Sequence, residues 1–157
     1  MTTGNDTINR IVVGVDGSEH SRLALRWAAT LSSWTGAAVE AVTAWHIPPT
    51  FGWAAGSSYV PPPMDGKADA ERMLKELLAE VFPADGNVKM IVREGNAAQG
   101  LIELSGESSL LVVGSRGHGG FAGLLLGSVS SHCAEHATCP VLVVHGDKPP
   151  SFTRHSE

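Results

Sequence analysis

The chain has few cysteines, Cys133 and Cys139 alone, and that scarcity excludes a disulfide framework. It lacks any apolar window of about eighteen residues, the length a membrane-crossing helix requires, so no membrane partner is expected. Its opening, Met-Thr-Thr-Gly-Asn-Asp-Thr, has neither the basic nor the apolar region of a secretory leader. Positive charge is short too: 11 Lys and Arg stand against 16 Asp and Glu, a net charge of −5, and no basic stripe collects them. A nucleic-acid partner is therefore not expected. Internal repeats are missing as well, and 157 residues with 43% hydrophobic content fit one ordinary domain with a sizeable core. These absences together place the expected protein in the cytoplasm, with both cysteines as small buried hydrophobes.

Glycine is what the chain has in one place. Leu110 to Val113 is a short apolar run, rich in β-branched residues, and it reads as a central strand covered on both faces. Gly114, Gly117, Gly119, Gly120, Gly123 and Gly127 follow it. Such a loop can take positive φ, admit a ligand close to the main chain and turn its N–H groups inward as a nest for an anion. Ser128 then reads as the N-cap of a helix running through Val129 to Ala137, so the loop ends at a helix N-terminus, where phosphate is the natural guest. Only Arg116 and His118 offer cations there, leaving backbone dipoles and the hydroxyls of Ser115, Ser128 and Ser130 to hold a polyanion. Arg116 and His118 either clamp terminal phosphates or are simply solvated.

The machinery of fast phosphoryl transfer is missing from this stretch. Leu126-Gly127-Ser128 has no lysine of the Walker kind. Val15-Asp16-Gly17-Ser18-Glu19-His20-Ser21 does not reproduce the Ser-Gly-Gly-x-Asp-Ser signature of adenylating pyrophosphatases. A phosphorylated receiver needs an aspartate after the third strand and a lysine after the fifth; here those strands end Val92-Arg93-Glu94 and Val144-His145. No catalytic residue is assigned. His132-Cys133-Ala134-Glu135-His136 has the form of a zinc-peptidase motif, but no suitable third ligand or open cleft accompanies it, so solvated or core-edge histidines are expected.

The rest of the chain alternates strands and helices. Residues 1–9 read as a flexible arm. Ile11 to Val15 reads as a strand ending at Asp16-Gly17-Ser18, with a helix to Trp34 stopped by Thr35-Gly36. Ala37 to Trp45 is a second strand. Residues 47–64 contain five prolines, three aromatics and two glycines, and read either as an ordered lid or partner contact, through Phe51, Trp53 and Tyr59, or as disorder. A helix follows from Asp65 to Phe82-Pro83, then a strand from Val88 and a helix capped by Asn96 with Gln99 in a near capping box. The final strand is Val141 to Val144, and 146–157 reads as a flexible tail. This pattern predicts an α/β fold, a doubly wound, Rossmann-like five-stranded parallel sheet of order 3-2-1-4-5 with helices on both faces. At its switch point the turns after the first and fourth strands meet. Asp16 there is either a helix cap and dipole partner or a contact to the bound ligand, directly or through water to a cation such as Mg2+. Pro140 and the apolar run 141–144 describe an edge strand that a two-fold partner would cover.

The spacing Gly114-x2-Gly117-x9-Gly127-Ser128 resembles the Gly-x2-Gly-x9-Gly-Ser/Thr signature of the ATP-binding class of universal stress proteins. The likeness runs from about Arg10 to His145, taking in Ile11-Val12-Val13-Gly14-Val15-Asp16-Gly17-Ser18 and Cys139-Pro140-Val141-Leu142-Val143-Val144. It implies a universal stress protein domain over 10–145 that binds ATP, or AMP or ADP, with Mg2+ and acts as a regulatory stress-response module. By the same resemblance Gly14, Val15, Asp16 and Ala44 line the adenine and ribose pocket, Ala44 being smaller than the valine often met there. Val113, Gly114, Gly117, Gly127, Ser128, Val129 and Ser130 take ribose and phosphates. A homodimer through strand 141–144 is also implied. The competing expectation is an enzyme, a slow ATPase or nucleotidyl-transfer catalyst on the same pocket.

Overall fold

The computed structural model describes residues 8–46, 66–117 and 125–151. Among them five strands and four helices alternate: β1 Arg10–Gly14, α1 Glu19–Thr35, β2 Ala38–Trp45, α2 Gly66–Val81, β3 Val88–Glu94, α3 Ala97–Ser105, β4 Leu110–Gly114, α4 Ser128–His136 and β5 Val141–Val144. The strands form one parallel sheet of order β3-β2-β1-β4-β5, as the alternation predicted. Residues 47–64, read as an ordered lid, a partner contact or disorder, lie outside the described residues.

Two cores follow from the period of the strands. Ile11 and Val13 of β1 and Val112 of β4 point to one face, packed with Leu23, Leu25 and Ala28 of α1 and Leu74 and Leu77 of α2. Val12, Leu111 and Val113 point to the other, against Ala98 and Leu101 of α3 and Cys133 of α4. A strand clamped this way has no polar side to show, which is why β1 and β4 read as unbroken apolar runs. Each fully buried aliphatic side chain, such as Ile11, Leu25, Leu74 or Leu111, contributes about 1.5–3 kcal/mol. Arg10 crosses the sheet margin to pair with Glu40 at 2.6 Å, and donates to the Leu104 carbonyl at 2.9 Å. The Glu40 carboxylate thereby raises the Arg10 pKa above the ordinary guanidinium value, burial opposing it.

The chain ends of the elements are set locally. Ser18 caps α1, its hydroxyl accepting from the Ser21 N–H at 3.3 Å, and Gly36 closes it in the left-handed region at φ 75. Asn96 caps α3 as expected, accepting from the Gln99 N–H at 2.9 Å. The other half of that capping box is not made, because the Gln99 amide donates to Glu103 instead, at 2.9 Å. That bond, and then Arg93, lower the Glu103 pKa. Ile8 packs against the first core, and Asn9 bonds to Ser109, so the inner end of the N-terminal arm is tied to the sheet.

Two expectations about the glycine stretch need correction. Ser128 is not the cap of α4: Gly127 is, extended at φ −74 and ψ 172 with no side chain to give, and Ser128 is the first helical residue. Nor do Gly114, Gly117 and Gly127 take positive φ. Gly114 and Gly117 are small because neighbours crowd them. A Cβ on Gly114 would sit 2.6 Å from the carbonyl carbon of His20, and one on Gly117 would meet Asp16 Oδ2 at 2.5 Å. Positive φ appears instead at Gly17, which lets the chain turn from β1 into α1. Gly119, Gly120 and Gly123 lie outside the described residues.

Candidate functional site

At the switch point, where β1 and β4 pair side by side, their carboxyl ends open into a cleft of about 560 Å³. Beyond the strands, the ladder is prolonged by the Val15 N–H to the Val42 carbonyl at 2.8 Å and the Ser115 N–H to the Val144 carbonyl at 2.9 Å. These bonds fix the two turns that form the cleft floor. One wall is apolar, with Val42 and Ala44 from β2 and Ala97 and Leu101 from α3. Gly14, Val15 and Val113 form the base, and a Cβ on Gly14 would press Leu101 Cδ1 at 2.8 Å.

The opposite wall is built from main chain. Arg116 and Gly117 from the turn after β4, and Leu126 through Ser131 at the start of α4, line it. The Ser115 carbonyl gathers this wall, accepting from the Gly127 N–H at 2.7 Å and the Ser130 hydroxyl at 3.0 Å. The first helical bond of α4 runs from the Ser131 N–H to the Gly127 carbonyl at 3.0 Å. Among the described residues, the N–H groups of Ser128, Val129 and Ser130 thus have no acceptor, as the first turn of any helix requires. With no side-chain cap to occupy them, they stand free at the positive end of the helix dipole. The hydroxyls contribute less than expected. Ser130 is buried and donates to main-chain carbonyls at 3.0 and 3.1 Å, and Ser115 is buried at 3% exposure outside the cleft lining, which leaves Ser128.

Asp16 and Arg116 are the charged side chains among the described residues of the cleft, and both are exposed. Asp16 is one link removed from a helix cap. Its Oδ1 accepts from the N–H and hydroxyl of Ser18, the residue that caps α1, while Oδ2 lies against Gly117 across the cleft floor. No group of three or more His, Cys, Asp and Glu among the described residues is placed to hold a metal ion. One cleft carboxylate suits a magnesium ion held mainly by phosphate and water, which takes one or two protein carboxylates.

The fold therefore brings Gly14, Val15, Asp16, Ala44, Val113, Gly114, Arg116, Gly117, Gly127, Ser128, Val129 and Ser130 to one cleft. His118 lies outside the described residues. Sequence reasoning missed Ser21, Val42, Ala97, Leu101, Leu126 and Ser131, which share the lining. Val42 was within reach, since it stands two residues before Ala44 on the same strand face. Ala97 and Leu101 were not: they lie one helical turn apart, and nothing local distinguishes a helix face over a cleft from one over a core.

Outside the cleft lining, α4 carries Cys133, His132 and His136. Cys133 is fully buried, and burial, then the neighbouring Cys139, push its thiol up to about 11. It is no nucleophile. Cys139 is only partly buried. His132 and His136 are exposed. No helix among the described residues is long and apolar enough to cross a membrane.

The profile described as the universal stress protein family matches residues 7–145. Universal stress protein Rv2623 of Mycobacterium tuberculosis is 38% identical over 139 residues, covering 85% of this chain and 44% of that protein. Universal stress protein Rv2624c of the same organism is 33% identical over 155 residues, covering 94% of this chain and 53% of that one. The chain thus spans about half the length of these curated relatives. Among solved structures, a universal stress protein in complex with cAMP is similar at 30% identity and TM-score 0.65, covering 88% of this chain and 98% of that one. A universal stress protein family protein from Arabidopsis thaliana with AMP bound shares the fold at 17% identity and TM-score 0.56, over 87% of this chain and 90% of that one.

Proposed function

The chain belongs to the universal stress protein family, and from that premise we propose that its cleft binds an adenine nucleotide, ATP or its mono- or diphosphate form with Mg2+, as a regulatory module of the cytoplasm. The observation that carries this reading is the pairing of two unlike walls. An apolar slot from Val42, Ala44, Ala97 and Leu101 faces the uncapped N-terminus of α4, with its amides of Ser128, Val129 and Ser130. A flat heterocycle suits the first and a phosphate the second, and the cleft volume of about 560 Å³ is in the range of small-molecule sites. The related protein seen in complex with cAMP, an adenine nucleotide, supports the same ligand class.

Binding rather than turnover is the reading favoured. With Asp16 and Arg116 the charged side chains among the described cleft residues, the lysine that would follow the terminal phosphates in a fast phosphotransferase has no counterpart there. In this reading Asp16 contacts ribose, base or a magnesium-bound water, and Arg116 contacts the phosphates. The test is to purify the protein without added ligand, denature it and identify released nucleotide by mass, then titrate ATP-Mg2+, AMP and cAMP by calorimetry. No released nucleotide together with no measurable binding sinks the proposal. Multiple-turnover phosphate release abolished by Asp16→Asn, in a variant that still folds, would replace it with the enzymatic alternative.

A further inference from the structure

His132 and His136 stand one turn apart on the solvent side of α4, away from the buried Ser130 and Cys133. Their ring centroids are 4.5 Å apart and the planes are tilted by 48°. Neither imidazole takes part in a hydrogen bond among the described residues; His136 Nε2 has only the Glu135 carboxylate nearby, at 3.8 Å, and its side chain is 56% exposed. Two imidazoles with unclaimed nitrogens, held side by side by helical spacing, have the geometry of a chelate. A tetrahedral ion with metal–nitrogen bonds of 2.0–2.1 Å sets its two nitrogens about 3.3 Å apart, within reach of these rings by small side-chain rotations.

We propose that His132 and His136 form a surface two-imidazole site for a borderline divalent cation of the Zn2+ or Cu2+ class. Imidazole selects such ions over Mg2+ and Ca2+, which prefer oxygen, so the site is chemically separate from any cation carried by a nucleotide in the cleft. The lack of a third ligand that excludes a peptidase does not exclude this site; water fills the remaining positions, and Glu135 supplies negative charge beside them. A bound ion bridges residues 132 and 136 of a nine-residue helix. A helix that short is marginal by itself, and an ion held by the helical spacing binds the folded chain better than the unfolded one, so it stabilises the fold by an amount that grows with the logarithm of free ion above its Kd.

The chain has seven histidines, so position has to be tested rather than histidine content. Metal-free full-length protein is titrated with Cu2+ by calorimetry and by electron paramagnetic resonance, and with Zn2+ by competition. One ion per chain is expected at the tightest site, with a spectrum showing two imidazole nitrogens. His132→Ala and His136→Ala should each weaken it at least tenfold. The paired change His136→Ala with Ala134→His keeps the number of histidines but turns the second ring to another face, and should weaken it as much. With Zn2+ added, the unfolding midpoint should rise in the wild type and in none of these variants. Unchanged affinity in the single variants, retention of tight binding by the 134 variant, or an equal rise in midpoint for all of them overturns the site.

Discussion

Ser128→Pro would remove a single N–H from the cleft and alter little else. Ser128 opens α4, and the first helical position is where proline fits, its fixed φ already being helical. The residue before a proline must be extended, and Gly127 already is, at φ −74 and ψ 172. No helical bond is lost, because the first one is donated by Ser131. Folding stability should therefore stay within about 0.5 kcal/mol of wild type. Affinity should not. A hydrogen bond from this amide to a phosphate oxygen is charge-assisted, and losing it costs about 1.5–3 kcal/mol. At about 1.4 kcal/mol per decade, that raises the Kd for ATP-Mg2+ by roughly tenfold to a hundredfold. Ser128→Ala, which keeps the amide and loses the hydroxyl, separates the two contributions. Calorimetry with ATP-Mg2+, AMP and adenosine is the assay, and adenosine is the internal control because it has no phosphate. Full ATP affinity in a normally folded Ser128→Pro variant would refute the reasoning, as would an equal loss for adenosine.

Gly114→Ala sets a Cβ 2.6 Å from main chain at His20, which cannot swing aside, and should cost about 3 kcal/mol, lowering the thermal midpoint by roughly 6–12 °C; Gly127→Ala, with its nearest contact at 3.3 Å and a negative φ, should stay within about 1 kcal/mol of wild type, and equal damage from the two would contradict the close-approach account. Burial keeps the Cys133 thiol protonated up to about 11 whereas the unfolded thiol ionises near 9.0. The stability this represents is complete below the unfolded value and is lost as pH rises through the folded one, so urea midpoints should fall between about pH 9 and about pH 11 less steeply in Cys133→Ala than in wild type; parallel slopes would remove this thiol from the alkaline transition. On β5 the carbonyls of Pro140 and Val144 bond to β4, so by the alternation of a parallel ladder Val143 presents its N–H to the outer edge. If two copies pair there, Val143→Pro should yield monomers in sedimentation velocity with its circular dichroism unchanged, and a wild type that sediments as a monomer would dispose of the dimer.

The order of strands was legible because five apolar runs alternate with helical periods, and short right-handed crossovers leave few ways to arrange them. The same holds for the location of the cleft, since the switch point follows from that order. The end of α1 was legible for a local reason, the missing side chain of Gly36, whereas its cap is Ser18 and not Asp16, which instead accepts from Ser18. Where local signals competed, reading failed. Ser128 looked like a cap because serine caps helices well, yet the chain places Gly127 there so that the Ser115 carbonyl can take its N–H, and serine enters the helix instead. Gln99 had two partners available, and Glu103 one turn on took it.

By itself, the sequence determined the fold class, the strand order, the glycine spacing and the family. Such features rest on periodicity and residue type, which are local and survive any detail of packing. Tertiary structure alone decided why the glycines are glycine, which helix faces wall the cleft and which serine hydroxyl is spent inside the protein. Each of those depends on atoms far apart in the chain: Gly114 on His20, Gly117 on Asp16, Ser130 on Ser115. A side chain's neighbour across the fold is set by the packing of whole elements, and no window of sequence contains it.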